Sequence, residues 1–430
     1  MELRERAQQI LNMNWRNGYT VPSQKLYPFQ WNWDSGFIAI GYAAMQNEQY
    51  FWQEIEYLIK GQWQNGFLPH IIYHNEEKYR DQYFPNADVW ASSISGDAPE
   101  SVKTSGIAQP PVLAFALQRG LRHLQSYDQE RLRTILPSVA QLQSFYRNTR
   151  NSQGAISIYH PWESGMDNSP LWDFPLQHIG ELQKWHHLRR DLEKVDDPSM
   201  RPTHKDYDAY LTLVDHLKTC NYDPETIRKK YPFQVKDILA SAFFIAGEQS
   251  LAEMQRSLDI PTNTATDVDW QKMFHDPTSD DTLPYHNYDV CNRKFLPLEC
   301  PYALFFLLTD HVSDQYKQQV NTFLQQHQQK MSEYPYPNLH ASVYPWSAKF
   351  VPNCYWKGPM WININWTIYC GLKKHGLTKW STKIREQILK IVDEQGFYEY
   401  FHPISGEGLG ADNFSWTAAL VLDLLNDTNE

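Results

Sequence analysis

The chain has 430 residues, of which 42% are hydrophobic, 14% aromatic and only 21% charged. Such a composition can fill a large core, and it excludes disorder as the main state, which goes with few aromatics and high net charge. Fifty acidic residues against 39 basic ones leave a net charge of -11 without a run of Lys or Arg, so the electrostatic footprint of a nucleic-acid binder is missing.

From the N-terminus onward, helical periodicity dominates. MELRERAQQI carries two acids and two bases in its first six positions and no apolar run follows, which is unlike a signal peptide. Helices are expected over 2–13 and 34–60, then a short strand-like piece, Phe67 to Tyr73, that looks like a hairpin in a connecting loop. Further helices are expected over 107–121, 128–149 and 204–220. Pro137 should kink the second of these or mark its true start. Val235, Ile238, Leu239, Ala242 and Ile245 mark one core-facing helical stripe. The longest apolar run, Ile238 to Gly247, is about half of the ~20 residues a membrane span needs. Beyond it come helices over 296–329 with a break near Ser313, 361–375 and 379–395, a second strand-like piece from Gly396 to Phe401, and a stripe of Phe414, Thr417, Ala418, Val421, Leu424 and Leu425. No Gly/Ser-rich or charged linker divides the chain, so one domain spanning 1–430 is expected. Helix pairs joined by long aromatic loops suit an all-α toroid whose loops build a site at one end.

The five cysteines (220, 291, 300, 354 and 370) are odd in number and never closer than nine residues, which points to reduced thiols rather than a disulfide framework or a metal motif. A cytoplasmic protein is the expectation. The sixteen histidines include an adjacent pair, His186 and His187, but no H-E-x-x-H. No metal and no cofactor are expected, and His70, His74, His160, His286 and His402 read as hydrogen-bonding loop residues, one of which could touch a substrate.

Four loop segments concentrate Trp, Tyr and single carboxylates: YPFQWNWDSGF from Tyr27, HPWESGMDNSPLWD from His160, YWKGPMWININW from Tyr355 and FYEYFHPISGEGLGADNFSW from Phe397. Aromatic faces stack on the C–H faces of sugars while isolated carboxylates and amides bond hydroxyls, so a carbohydrate pocket is expected. Glycosidic cleavage needs a protonated acid at the leaving oxygen and a second carboxylate; Asp167 and Glu399 are the candidates. The turn holding Asp167 lies between Trp162 and Trp172, an apolar setting that can raise a carboxyl pKa, although an Asp before Ser-Pro can equally cap a helix.

These segments, together with WDSGFIAIG, TSGIAQPP and RPTHKDY, occur from about residue 27 to 420 and resemble the bacterial mannosylglycerate and glucosylglycerate hydrolases of glycoside hydrolase family 63. The resemblance implies an (α/α)6 toroid and hydrolysis with inversion, with Asp167 as general acid and Glu399 as general base. It also implies that Asp34 binds the sugar and helps hold the attacking water. Tyr27, Trp33, Gln109, Trp162 and Trp361 would line the sugar subsite, and Arg201, Tyr207 and Tyr355 would seize the glycerate carboxylate. Glu407, eight residues beyond Glu399, competes with it for the base role or binds substrate. Gln109 has an alternative as a helix-start residue bonded locally, and Arg201 one as a surface partner of Asp206 or Asp208. Lys357 departs from the Arg common in relatives. The expected partner is a small anionic glycoside, with no nucleic acid and no membrane; a homo-oligomer is compatible with the sequence. The alternatives are a hydrolase of a neutral α-disaccharide, an epimerase or isomerase with two converging histidines, and a catalytically dead binding protein.

Overall fold

The computed structural model describes residues 2–186, 189–195, 197–262, 269–310 and 312–427; His187 of the adjacent histidine pair lies outside them. Among the described residues, six elements pack in sequence order into a closed inner ring: the helices Asn32–Ala44, Leu113–His123 and Ile238–Ser257, the 3-10 turn Tyr302–Leu308, and the helices Ile362–Lys374 and Ser415–Asn426, the last returning to the first. Outer helices back this ring. Leu3–Asn14 lies on Ser415–Asn426, Glu48–Ile59 on Asn32–Ala44, Gln129–Phe145 on Ile238–Ser257, and Thr378–Gln395 on Ile362–Lys374. This is the expected (α/α) toroid.

Why the inner elements lie inside is legible in their side chains. Every residue of Asn32–Ala44 is buried, as are all seven of Tyr302–Leu308, and a helix apolar all round can only be surrounded by others. The outer helices keep one wet face: Thr378–Gln395 buries Trp380, Ile384, Ile388, Ile391 and Val392 at helical spacing. At Gly41 an added Cβ would meet the Ala419 backbone at 2.6 Å, so this glycine sets how closely the first and last inner helices approach.

Several boundaries differ from the expectation. The stretch 34–60 is two helices, because Gln46 turns left-handed (φ 60°) and the Asn47 side chain caps the next helix by accepting from Tyr50 N–H at 3.2 Å. The helix expected from 107 starts at Leu113, after Pro110 and Pro111. Pro137 lies within Gln129–Phe145; Asp128 is the cap, accepting from Glu130 and Arg131 N–H. The expected helix over 296–329 breaks at Ser313, as anticipated, but its first part is the 3-10 turn.

Strands are more numerous than the sequence suggested. Val235 belongs to a strand and not to the helical stripe, which begins after Asp237 caps Ile238–Ser257 through Ala240 N–H. An antiparallel five-stranded sheet orders Asn151–Ser152, Ala155–Ile158, Val235–Lys236, Asn287–Asp289 and Lys294–Leu296 side by side. Ile71–Ile72 pairs with Gln30–Trp31, some 40 residues upstream, instead of forming a local hairpin. Tyr400–Phe401 and Gly408–Leu409 do form the expected hairpin. No helix among the described residues is long and apolar enough to cross a membrane.

Candidate functional site

A cavity of about 70 Å³ gathers residues from the N-terminal ends of inner helices and from the loops beside them. Trp33 and Asp34 occupy the first turn of Asn32–Ala44, whose own N-cap supplies no side-chain bond. Gln109 supplies it from the next loop, its Oε1 accepting from Trp33 N–H at 3.0 Å. The glutamine is thus bonded across the site rather than locally, and it lines the cavity.

The turn carrying Asp167 is set by its neighbours. Gly165 has φ +74°, and a Cβ there would lie 2.4 Å from the Trp33 indole, so only glycine lets the turn press onto that ring. Glu163, fully buried, ties three segments together: it accepts from Ala108 N–H (3.0 Å), from Tyr159 N–H (2.6 Å) and from both Arg150 nitrogens (2.7 and 3.0 Å). Burial alone would raise its carboxyl pKa, and Arg150 brings it below the usual range. Arg150 itself ends a π-helical turn, Tyr146–Arg150, a local distortion that often marks functional regions. Ser169, not Asp167, caps the following 3-10 turn, accepting from Leu171 N–H at 3.4 Å, which disposes of the capping alternative. Burial pushes the Asp167 carboxyl up to about 8; Arg201 opposes this and Glu399 adds to it.

Glu399 precedes the hairpin strand Tyr400–Phe401. Its Oε1 accepts from Tyr27 Oη at 2.7 Å and lies 3.4 Å from Tyr355 Oη, while Oε2 accepts from Ala411 N–H at 3.1 Å. Gly410 turns with φ +74°, and a Cβ on it would meet Oε2 at 2.6 Å; glycine is required to aim the amide. Burial raises the Glu399 pKa, and Arg201, Tyr27, Ala411 and Tyr355 pull it back. Asp34 lies well above the carboxylate range, through burial first and Glu399 second.

Arg201 is buried over the Tyr355 ring, 4.2 Å from its centre, with Nη1 3.9 Å from Glu399 Oε1 and Nε 3.5 Å from Asp191 Oδ2. Nη1 has no hydrogen-bond partner, while Nε faces the Asp191 carboxylate. The surface pairing considered for it does not occur: Asp206 completes a capping box with Thr203, and Asp208 accepts from Trp185 N–H. Tyr207, with the Arg189 guanidinium 3.6 Å over its ring, and Trp162 complete this wall.

Of the twelve residues singled out in the sequence, ten line the cavity: Tyr27, Trp33, Asp34, Gln109, Trp162, Asp167, Arg201, Tyr207, Tyr355 and Glu399. Two do not. Trp361 lies behind it, stacked on Trp356 at 3.6 Å and donating its indole N–H to the Tyr355 carbonyl. Glu407 is exposed in the hairpin turn. Lys357 also stays outside the lining. Sequence reasoning missed Trp31, Tyr83, Trp356, Phe414 and Trp416 as lining residues. Four of these stand in the aromatic segments already marked; Tyr83 stands in a charged stretch that gave no signal.

His70 is the one loop histidine at the cavity among the described lining residues. Its Nδ1 meets Ser105 Oγ at 2.6 Å, and burial holds the ring well below its usual pKa and so neutral. The converging pair an epimerase needs is therefore not at this cavity. His160 instead bonds Trp162 N–H and the Tyr210 carbonyl. Among the described residues no group of three His, Cys, Asp or Glu could hold a metal ion. The cavity thus combines a carboxyl group protonated near neutral pH, a second carboxylate held by donors, a buried cation and aromatic walls.

Residues 27–417 match the model of the mannosylglycerate hydrolase MGH1-like glycoside hydrolase domain. The chain is 34% identical to a mannosylglycerate hydrolase of Thermus thermophilus, covering 97% of this chain and 99% of the relative. It is 33% identical to a glucosylglycerate hydrolase of Mycolicibacterium hassiacum, covering 99% and 98%. A crystal structure of the GH63 mannosylglycerate hydrolase from Thermus thermophilus in complex with Tris and D-glycerate superposes with a TM-score of 0.88 at 31% identity, over 98% of this chain and 99% of that one. On fold, site composition and likeness along nearly its whole length, the chain belongs to the MGH1-like mannosylglycerate hydrolase group of glycoside hydrolase family 63.

Proposed function

We propose that this protein hydrolyses glucosylglycerate, mannosylglycerate or both to hexose and D-glycerate, with inversion, as one catalytic domain. The observation that carries the reading is Arg201: a buried guanidinium lining a cavity otherwise lined by three carboxyl groups. In a chain of net charge -11, an anionic substrate needs such a local cation. A guanidinium suits a carboxylate, and Tyr207 and Tyr355 stand beside it.

Asp167, protonated near neutral pH, donates its proton to the glycosidic oxygen as the bond to C1 breaks. Glu399, whose charged form Arg201, Tyr27 and the Ala411 amide favour against its burial, takes a proton from the water that attacks C1 from the opposite face. Asp34 binds sugar hydroxyls and helps hold this water; Tyr27, Trp33, Gln109 and Trp162 enclose the hexose, and Trp361 acts from behind by stacking on Trp356. The relatives' substrates, and the D-glycerate held by the superposed structure, support the assignment of the leaving group. A cytoplasmic setting is proposed on the five free thiols.

The test is a hydrolysis panel of glucosylglycerate, mannosylglycerate, trehalose and kojibiose, reading free glycerate and hexose, with proton NMR for the first anomer released. Glycerate release with β-hexose first is expected. Faster cleavage of a neutral disaccharide would overturn the substrate; α-hexose first would overturn the water-activating role of Glu399.

A further inference from the structure

A second cavity, of about 130 Å³, shares no lining residue with the central one. It lies between the inner ring and an outer helix: the segment 298–304 entering the turn Tyr302–Leu308 forms one wall, and Phe323, Gln326, His327 and Lys330 of the helix Asp314–Lys330 form the opposite one.

Two of its lining residues carry a buried atom without a hydrogen-bond partner: His286 Nε2 and His327 Nε2, on side chains 6% and 2% exposed. Native interiors leave few such atoms unpaired, and each calls for an explanation. The nearest carboxylate to His286 Nε2, on Asp281, is 3.6 Å away, beyond hydrogen-bond reach. Burial pushes His327 down to about 3 and lowers His286, so both rings are neutral near pH 7. Neutral imidazoles exchange hydrogen bonds with hydroxyl groups.

Charge narrows the occupant further. The described lining holds two carboxylates, Asp281 and Glu299, against one ammonium, Lys330, which rests 4.4 Å over the Trp346 ring. An anion is repelled there, whereas a hydroxyl finds an acceptor in Glu299, whose Oε2 already accepts from Ser347 Oγ at 2.7 Å. Tyr344 and Trp346, stacked with centroids 4.6 Å apart, supply the apolar side.

We propose that this cavity is a second binding site for a neutral polyhydroxylated molecule, a hexose or a short polyol, whose hydroxyls pair with His286 and His327. This site stands apart from the central one and does not depend on the glycerate reading of Arg201.

Isothermal titration of the full-length protein with D-glucose, D-mannose and glycerol, with sodium D-glycerate as the anionic control, tests it on wild type, His327→Leu and Trp346→Ala. Each substitution should weaken one neutral-ligand isotherm about tenfold or more and leave hydrolytic kcat/KM within about twofold. Loss confined to the hexoses names a hexose as occupant, and loss confined to glycerol names an acyclic polyol. Should His327→Leu fail to fold, the half-exposed Trp346→Ala decides alone. Unchanged isotherms in both variants would overturn the proposal, as would glycerate competing for the same site. So would density in soaked crystals without an isotherm in solution, which is binding at crystal concentration only.

Discussion

Asp167 and Glu399 face the same cavity, and burial raises the pKa of both; they differ in the donors that oppose it. At Asp167 burial prevails, and the neighbouring Glu399 charge reinforces it, so the carboxyl keeps its proton to about 8. At Glu399 a phenol at 2.7 Å, an amide at 3.1 Å and the Arg201 guanidinium all favour the charged form. Two like groups thereby differ in the donors that hold their charged forms, which is what an acid and a base sharing one pocket require. Arg201 lowers both groups but acts beside Tyr27 and the Ala411 amide only at Glu399. The direct hydrogen bonds therefore set the difference.

The largest effect should come from erasing either side of this contrast. Asp167→Asn and Glu399→Gln should each lower kcat by about 10² to 10⁴-fold with circular dichroism unchanged. In the wild type the pH profile should be bell-shaped: activity rises as Glu399 loses its proton and falls near pH 8 as Asp167 loses its own. An alkaline limb that persists in a folded, residually active Asp167→Asn variant would detach that limb from this residue.

Removing the cation comes next. Arg201→Ala should cost about 10 to 150-fold in kcat/KM on a hexosyl glycerate, the worth of a charge-assisted hydrogen bond of ~1.5–3 kcal/mol, and little on a neutral glycoside that the enzyme accepts slowly. Arg201→Lys should recover only part, because a point charge lacks the fork. Equal losses on both substrate kinds would make Arg201 a support of Tyr355 and Glu399 instead.

Tyr27→Phe sharpens the comparison with a smaller change. Its hydroxyl lowers the Glu399 pKa by bonding the charged form. Without it the acid limb should move to higher pH, and activity on that limb should fall roughly tenfold while the alkaline limb stays. An unmoved acid limb would mean that Glu399 does not set it.

How far the sequence revealed this arrangement follows from what each residue interacts with. Asp167 and Glu399 stand in aromatic segments whose composition already signals a pocket, and the inner elements Asn32–Ala44 and Tyr302–Leu308 announce themselves by residues that are buried on every side. What stayed hidden depends on contacts between distant segments. Val235 fits a helical stripe by spacing, but its strand is fixed by partners near residues 157 and 289. Trp361 sits in a marked segment, and only the stacked Trp356 shows that it stands one layer back. Glu163 reads as one more loop acid, although it joins Arg150, Ala108 and Tyr159 from three stretches of chain.

The acid side of the contrast also carries a stability cost with a definite sign. An unfolded Asp titrates at about 3.9, and Asp167 in the folded chain at about 8. The folded state therefore holds a proton that the unfolded state has released. This contribution to stability is complete below about pH 4 and is lost as pH rises through about 8. Asn at this position does not titrate. The Tm of Asp167→Asn minus that of the wild type should grow by a few degrees between about pH 5 and pH 8 in differential scanning calorimetry; a difference that stays constant would place the Asp167 pKa outside this window.

The smallest effect is expected at Glu407, and the hairpin register explains why. Tyr400 pairs with Leu409 and Phe401 with Gly408, and the ladder continues with His402 N–H donating to the Glu407 carbonyl at 2.8 Å. Glu407 therefore stands opposite His402, three residues along the strand from Glu399, or about 10 Å at ~3.3 Å per residue. Successive side chains alternate between faces, and residues paired across strands share one. An offset of three puts Glu399 and Glu407 on opposite faces: the first turns to the cavity, and the second is exposed. Bringing Glu407 to the attacking water would require a one-residue slip of the hairpin, which would turn Glu399 outward and break its bond from the Ala411 amide. Glu407→Gln should accordingly change kcat and KM less than about twofold, with both limbs of the pH profile in place. A loss of about 10²-fold or more, with Glu399→Gln near wild type, would exchange the two residues and leave the Tyr27 and Ala411 donors without a part in the chemistry.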